Sequence, residues 1–123
     1  MKKFDLSGTL MYRDVELAAF DIVGGVTREF HLLCTNPAYF PFEMGKFQNG
    51  STLVNALLAR LVPETRQGLL EELSKIGING YDISAILHHQ NASSFEDDFW
   101  VKFYDGPQTW EELLTKLGYT SRL

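Results

Sequence analysis

The sequence predicts a single α+β domain spanning residues 1–123, and three observations carry that prediction. Strand-like runs open the chain and meet at a Gly24-Gly25 pair, helical periodicity fills the middle, and an aromatic run returns to β character near the end. Strands first and helices afterwards is the order of α+β proteins, not of alternating α/β units. The 123 residues suffice for one hydrophobic core.

The first third reads as an antiparallel meander of about three strands. Thr9-Leu10-Met11-Tyr12 leads through the polar pair Arg13-Asp14 into Val15–Val23. The alternation changes phase near Ala18-Ala19, which suits a bulge or a strand buried on both faces. Gly24-Gly25 tolerates positive φ at both positions and marks a two-residue hairpin. Phe30, Leu32 and Leu33 support a third strand before Asn36-Pro37 stops it. Residues 36–50 then read as an ordered loop whose Tyr39, Phe40, Phe42 and Phe47 close one end of the core or face a partner.

Helices follow. Ser51 is placed to cap Thr52–Val62, which Pro63 ends. Thr65 or Glu64 precedes a second segment from Gly68 to Ile76, with Gly77 as its C′ residue. Asp82 caps a short helix over Ile83–His89. In the tail, Ser94-Phe95-Glu96-Asp97 has capping-box form and leads to Phe99–Tyr104, a short aromatic strand. Asp105-Gly106-Pro107 turns, and Thr109-Trp110-Glu111-Glu112 is a second capping box opening Leu113–Leu117, closed by Gly118.

The net charge is −5, and all of the imbalance lies in the second half: residues 64–123 hold ten acids against five bases, while residues 1–63 hold six of each. Such a chain lacks the clustered Lys and Arg that direct nucleic-acid binding requires. No apolar run approaches the roughly 20 residues of a membrane helix. The charged start has no apolar segment behind it, so no signal peptide is read, and the single Cys34 makes no internal disulfide. A reducing, cytoplasmic setting is expected.

Catalytic chemistry finds little foothold. His31 and Cys34 lack further ligands to complete a metal site, and on a helix the adjacent His88 and His89 point about 100° apart. Gly24-Gly25 opens no helix and belongs to no phosphate-binding motif. Glu71-Glu72, Glu96-Asp97-Asp98 and Glu111-Glu112 fall where helix or turn starts favour negative charge. No metal, cofactor or catalytic residue is assigned; an enzyme would need a cluster assembled by the fold, such as His31 with Glu96 or Asp97. The aromatic tail is different, since Trp and Tyr often dominate interfaces.

Four segments in order carry a family resemblance. Met11-Tyr12-Arg13-Asp14-Val15-Glu16-Leu17-Ala18, Val62 to Ile78 (with Pro63, Arg66, Gly68, Glu72, Leu73 and Gly77), Ser94 to Lys102, and Trp110-Glu111-Glu112 together resemble the amino-terminal region of HipA-like kinases of toxin–antitoxin systems. The resemblance runs from about residue 9 to 113, and the ten residues after Leu113 leave no room for the kinase domain. It implies a free-standing counterpart of that region, which packs on the kinase or, as a separate small protein, restrains it.

The expected function is therefore a non-catalytic protein-binding module, antitoxin-like, that docks on and restrains a HipA-like kinase or binds another host protein. Its contacts are expected at Phe99, Trp100, Tyr104 and Trp110, with Glu96, Asp97 and Asp98 at the rim. The alternative is a small acidic inhibitor of mobile-element (phage) type, occupying the basic channel of a host nucleic-acid enzyme such as a defence nuclease. A homodimer through an exposed strand edge is compatible with either.

Overall fold

The computed structural model describes residues 3–34, 36, 38, 50–61, 63–94 and 97–118. The aromatic loop residues Tyr39, Phe40, Phe42 and Phe47 lie outside that set, as do Phe95 and Glu96. Three strands form the expected meander: β1 (Leu6–Tyr12), β2 (Val15–Val23) and β3 (Val26–Leu32). Gly24 and Gly25 join β2 to β3 with φ of 60° and 78°, the double left-handed turn whose twist matches a hairpin. The aromatic strand, β4 (Phe99–Lys102), returns to pair antiparallel with β1, giving the sheet order β3-β2-β1-β4.

The phase change in β2 is a bulge one residue ahead of the expected place. Leu10 faces Ala18 but Met11 faces Glu16, so Leu17 is the extra residue, and Leu17 and Ala18 are both fully buried. A second bulge inserts Arg28 into β3, because Asp21 faces Glu29 while Ile22 faces Thr27.

The two faces of the sheet are covered by different helices. Leu6, Leu10, Phe20, Ile22, Val101 and Phe103 point to the face packed by α1 (Gly50–Leu58) and α3 (Ile83–His89) through Leu53, Leu57 and Leu87. Met11 and Trp100 point to the other face and lie under α4 (Trp110–Leu117), whose Trp110, Leu113 and Leu114 seal them. A satellite cluster joins α2 (Leu69–Lys75) to α3 through Leu69, Leu73, Ile78 and Ile86.

Most helix ends follow the sequence signals. Asp82 accepts the Ala85 N–H at 3.1 Å, and Thr109 accepts that of Glu112 at 3.1 Å. Glu112 reaches back to the Gln108 N–H at 3.1 Å. At the end of α2, Gly77 has φ 84°, its N–H meets the Ser74 carbonyl, and the Ile78 N–H meets that of Leu73 at 2.9 Å. Those bonds, with Ile78 packed in the same cluster as Leu73, make a complete Schellman closure.

Three boundaries differ from expectation, the first at Ser51, which does not cap the first helix but lies within it, because α1 begins at Gly50. Helix α1 stops at Leu58, and Ala59–Leu61 continue only as turns, with the Arg60 and Leu61 N–H groups bonding three residues back. Neither Thr65 nor Glu64 caps α2; its N-cap is Gly68, left-handed at φ 76° and without a side-chain cap bond. Arg66 instead pairs with Glu72 in the first turn of α2.

Candidate functional site

The functional question turns on the β1–β4 edge of the sheet, where most of the expected contact residues lie. At one end everything converges on the Arg13-Asp14 turn. Arg13, at φ 50°, directs its carbonyl to the Trp100 indole N–H, which donates to it at 2.8 Å. The Arg13 N–H donates to the Asp98 carbonyl at 3.0 Å, and its guanidinium meets the Asp98 carboxylate at 2.9 Å. The Asp14 carboxylate accepts the Trp110 N–H at 2.7 Å, which holds the start of α4 against the turn. Segments far apart in sequence are thus tied at one point.

The outer edge of β4 is closed as well. Asn91 and Ala92 adopt left-handed φ of 53° and 48° after α3, and this lays Asn91 along the strand. Its carbonyl accepts the Val101 N–H at 2.8 Å, and its amide donates to the Val101 carbonyl at 3.0 Å. Arg60 donates to the carbonyls of Ala92 and Phe99 and pairs with Asp97 at 2.6 Å. Lys116 reaches from α4 to the Asn91 side-chain oxygen at 2.6 Å. Desolvation lowers the Lys116 pKa, and the Asp105 carboxylate offsets part of that shift.

These contacts correct the expected interface. Trp100 is fully buried and Trp110 only 8% exposed, so neither presents a contact surface. The reason is strand alternation: Trp100 points away from Phe99 and Val101, onto the face that α4 covers. Phe99 is half-buried, edge-on to Tyr12 with ring centroids 5.3 Å apart. Asp97 and Asp98 stand before a strand, not at a helix start, and hold Arg60 and Arg13; Glu96 is outside the described residues. Tyr104 alone of the four aromatic residues is open, at 98% exposure.

The end of the edge that carries Tyr104 is the candidate site. β4 pairs with β1 only from Thr9↔Lys102 to Tyr12↔Phe99; Gly8 still lies close under Val101, Lys102 and Phe103, and Leu6 and Ser7 extend beyond the pairing. An open cleft of about 590 Å³ lies beyond, with Leu6, Ile78, Ala85 and Phe103 as its apolar lining. Asp5, Asp82 and Asp105 supply carboxylates, and among the described residues no Lys or Arg lines it. His88 stacks on Phe103 at 4.5 Å and meets Asp105 at 3.1 Å, which steadies the turn following Tyr104. A second hollow of about 390 Å³ shares Ser7, Phe103 and Tyr104 with the first, so these residues separate the two.

The described residues do not bring His31 and Asp97 together, and Glu96 lies outside them. His31 lies on β3 and Asp97 beside β4, at opposite edges of a four-stranded sheet, roughly 14 Å apart by strand spacing. His31 is exposed and nearest to Glu29, at 3.6 Å. Among the described residues no group of three or more His, Cys, Asp and Glu is placed to hold a metal ion. No described helix is long and apolar enough to cross a membrane.

Sequence reasoning missed Ser7, Ile78 and His88 as parts of one site, since they come from three distant segments. Tyr104 carried a readable signal: an aromatic residue directly before Asp105-Gly106-Pro107 sits where the strand must end. Comparison of the chain with protein families, curated proteins and solved structures found no match.

Proposed function

We propose that this chain is a non-catalytic protein-binding module whose contact surface is the open end of the β1–β4 edge. The observation that carries this reading is Tyr104, 98% exposed and at the border of two hollows that it lines. A tyrosine ring offers large, rigid contact area at low entropic cost, and a solvent-facing ring beside an apolar hollow is the form of an interface anchor.

The partner we propose is a HipA-like kinase that the module restrains, in an antitoxin-like role within the cytoplasm. What supports this is the order of the four sequence segments and the junction of three of them at Arg13-Asp14. The shared motif residues would then maintain the fold, while a neighbouring surface makes the contact.

The phosphate-mimicking inhibitor is the less favoured reading. Mimicry needs carboxylates presented to solvent as a row. Here Glu16, Asp97 and Asp98 are spent on Lys102, Arg60 and Arg13 of the same chain.

Affinity capture of the tagged protein from its native cell, with the bound proteins identified by mass spectrometry, tests the proposal. A HipA-like kinase recovered by the natural chain and lost with Tyr104→Ala is the expected result. Recovery that is indifferent to Tyr104, or recovery of a nucleic-acid enzyme instead, would overturn it.

A further inference from the structure

Building on the reading that this end of the edge binds a protein, we infer that its occupant is an extended basic segment of the partner, laid along Ser7 with an arginine or lysine side chain among Asp5, Asp82 and Asp105.

The main-chain geometry sets the extended form. The Phe4 carbonyl turns toward the β2–β3 hairpin and accepts the Gly25 N–H at 2.8 Å. Asp5 turns the other way: its N–H donates to the Ser84 hydroxyl at 3.2 Å, and that hydroxyl donates to its carbonyl at 2.5 Å. Main-chain groups along a strand point alternately to either side, so Ser7 faces the same side as Asp5. On that side β4 begins pairing only at Thr9. Ser84 takes the place of a strand at Asp5, β4 pairs at Thr9, and among the described residues no strand pairs with Ser7 between them. An extended peptide residue fits that gap, by the main-chain pairing through which sheet edges take up peptides.

Charge decides what the segment carries. Among the described residues, three carboxylates and two histidines line the larger hollow, with no Lys or Arg. One oxygen of each carboxylate is engaged, Asp5 by the Gly24 N–H, Asp82 by the Ala85 N–H and Asp105 by His88, and these contacts leave the second oxygen of each. Lys102, in the smaller hollow, is already neutralised by Glu16 at 2.7 Å. An arginine or lysine stem would lie on Ile78 and Phe103, with its charged head near the carboxylates. The exposed face of Tyr104 adds a cation–π contact.

The test is an amide-shift titration of the whole protein with a short peptide alternating valine and arginine, beside its valine–glutamate counterpart. Saturable shifts at Leu6–Gly8 and Tyr104 are expected with the arginine peptide alone. Tyr104→Ala is expected to weaken binding about tenfold, the loss typical of an anchor residue. The triple variant D5N/D82N/D105N keeps its hydrogen-bond acceptors while removing three charges, and it is expected to weaken binding comparably. Equal binding of both peptides, shifts confined elsewhere, no shifts, or binding that survives the triple variant would overturn the inference. The native-cell capture separates the two claims. If a kinase is lost with Tyr104→Ala but the arginine peptide does not bind, the basic occupant is wrong and the binding module stands.

Discussion

β1 and β4 run side by side, and the two ends of their shared edge have opposite characters. At the Trp100 end the indole, Arg13, Asp14 and Asp98 bond to one another or to the start of α4, and the indole is sealed under α4. At the Tyr104 end the pairing stops at Thr9↔Lys102, and the ring projects into solvent. Both ends are aromatic and both are flanked by aspartates. The difference is whether a second element, α4 or Asn91, covers the strand at that point. Aromatic density therefore does not locate an interface here; the end of the strand pairing does.

The largest effect expected from breaking the closed end is that of Trp100→Ala. Emptying a fully buried indole site and losing its bond to Arg13 should cost about 3–5 kcal/mol in denaturant unfolding. A cost under about 1 kcal/mol would mean that α4 does not seal this face. Asn91→Ala should follow, because it strips the buried Val101 carbonyl of its amide donor, at about 1–3 kcal/mol by the same measurement. Thr109→Ala removes a single cap bond and should cost about 1 kcal/mol.

A smaller effect concerns pH at Lys116, whose folded pKa is lowered from 10.5 chiefly by desolvation. Between that lowered value and 10.5 the unfolded chain binds more protons than the folded one. Stability therefore rises with pH across that window. Urea midpoints over this range should show the rise in the natural chain and a flatter profile in Lys116→Gln.

Local signals were legible in the sequence, and covering elements were not. The Gly24-Gly25 turn, the Asp82 and Thr109 caps and the Gly77 closure each depend on a few neighbouring residues, and each formed as expected. The start of α2 near Gly68 was legible, but its left-handed cap was not: Thr65 and Glu64 offer capping side chains nearby, yet the chain enters the helix through Gly68. Strand alternation does put Trp100 opposite Val101, but nothing local says that α4 folds back onto that face. The open end was harder still. It depends on β4 stopping before Leu6 and Ser7, a register set by long-range pairing, and on His88 and Ile78 arriving from other segments.

The most direct measurement pairs stability with partner binding in one variant, Tyr104→Ala. A ring with 98% exposure should leave unfolding free energy within about 0.5 kcal/mol of the natural chain, while the partner is lost. If stability falls as it does for Trp100→Ala, or if the partner is retained at full affinity, the open end is not the binding surface.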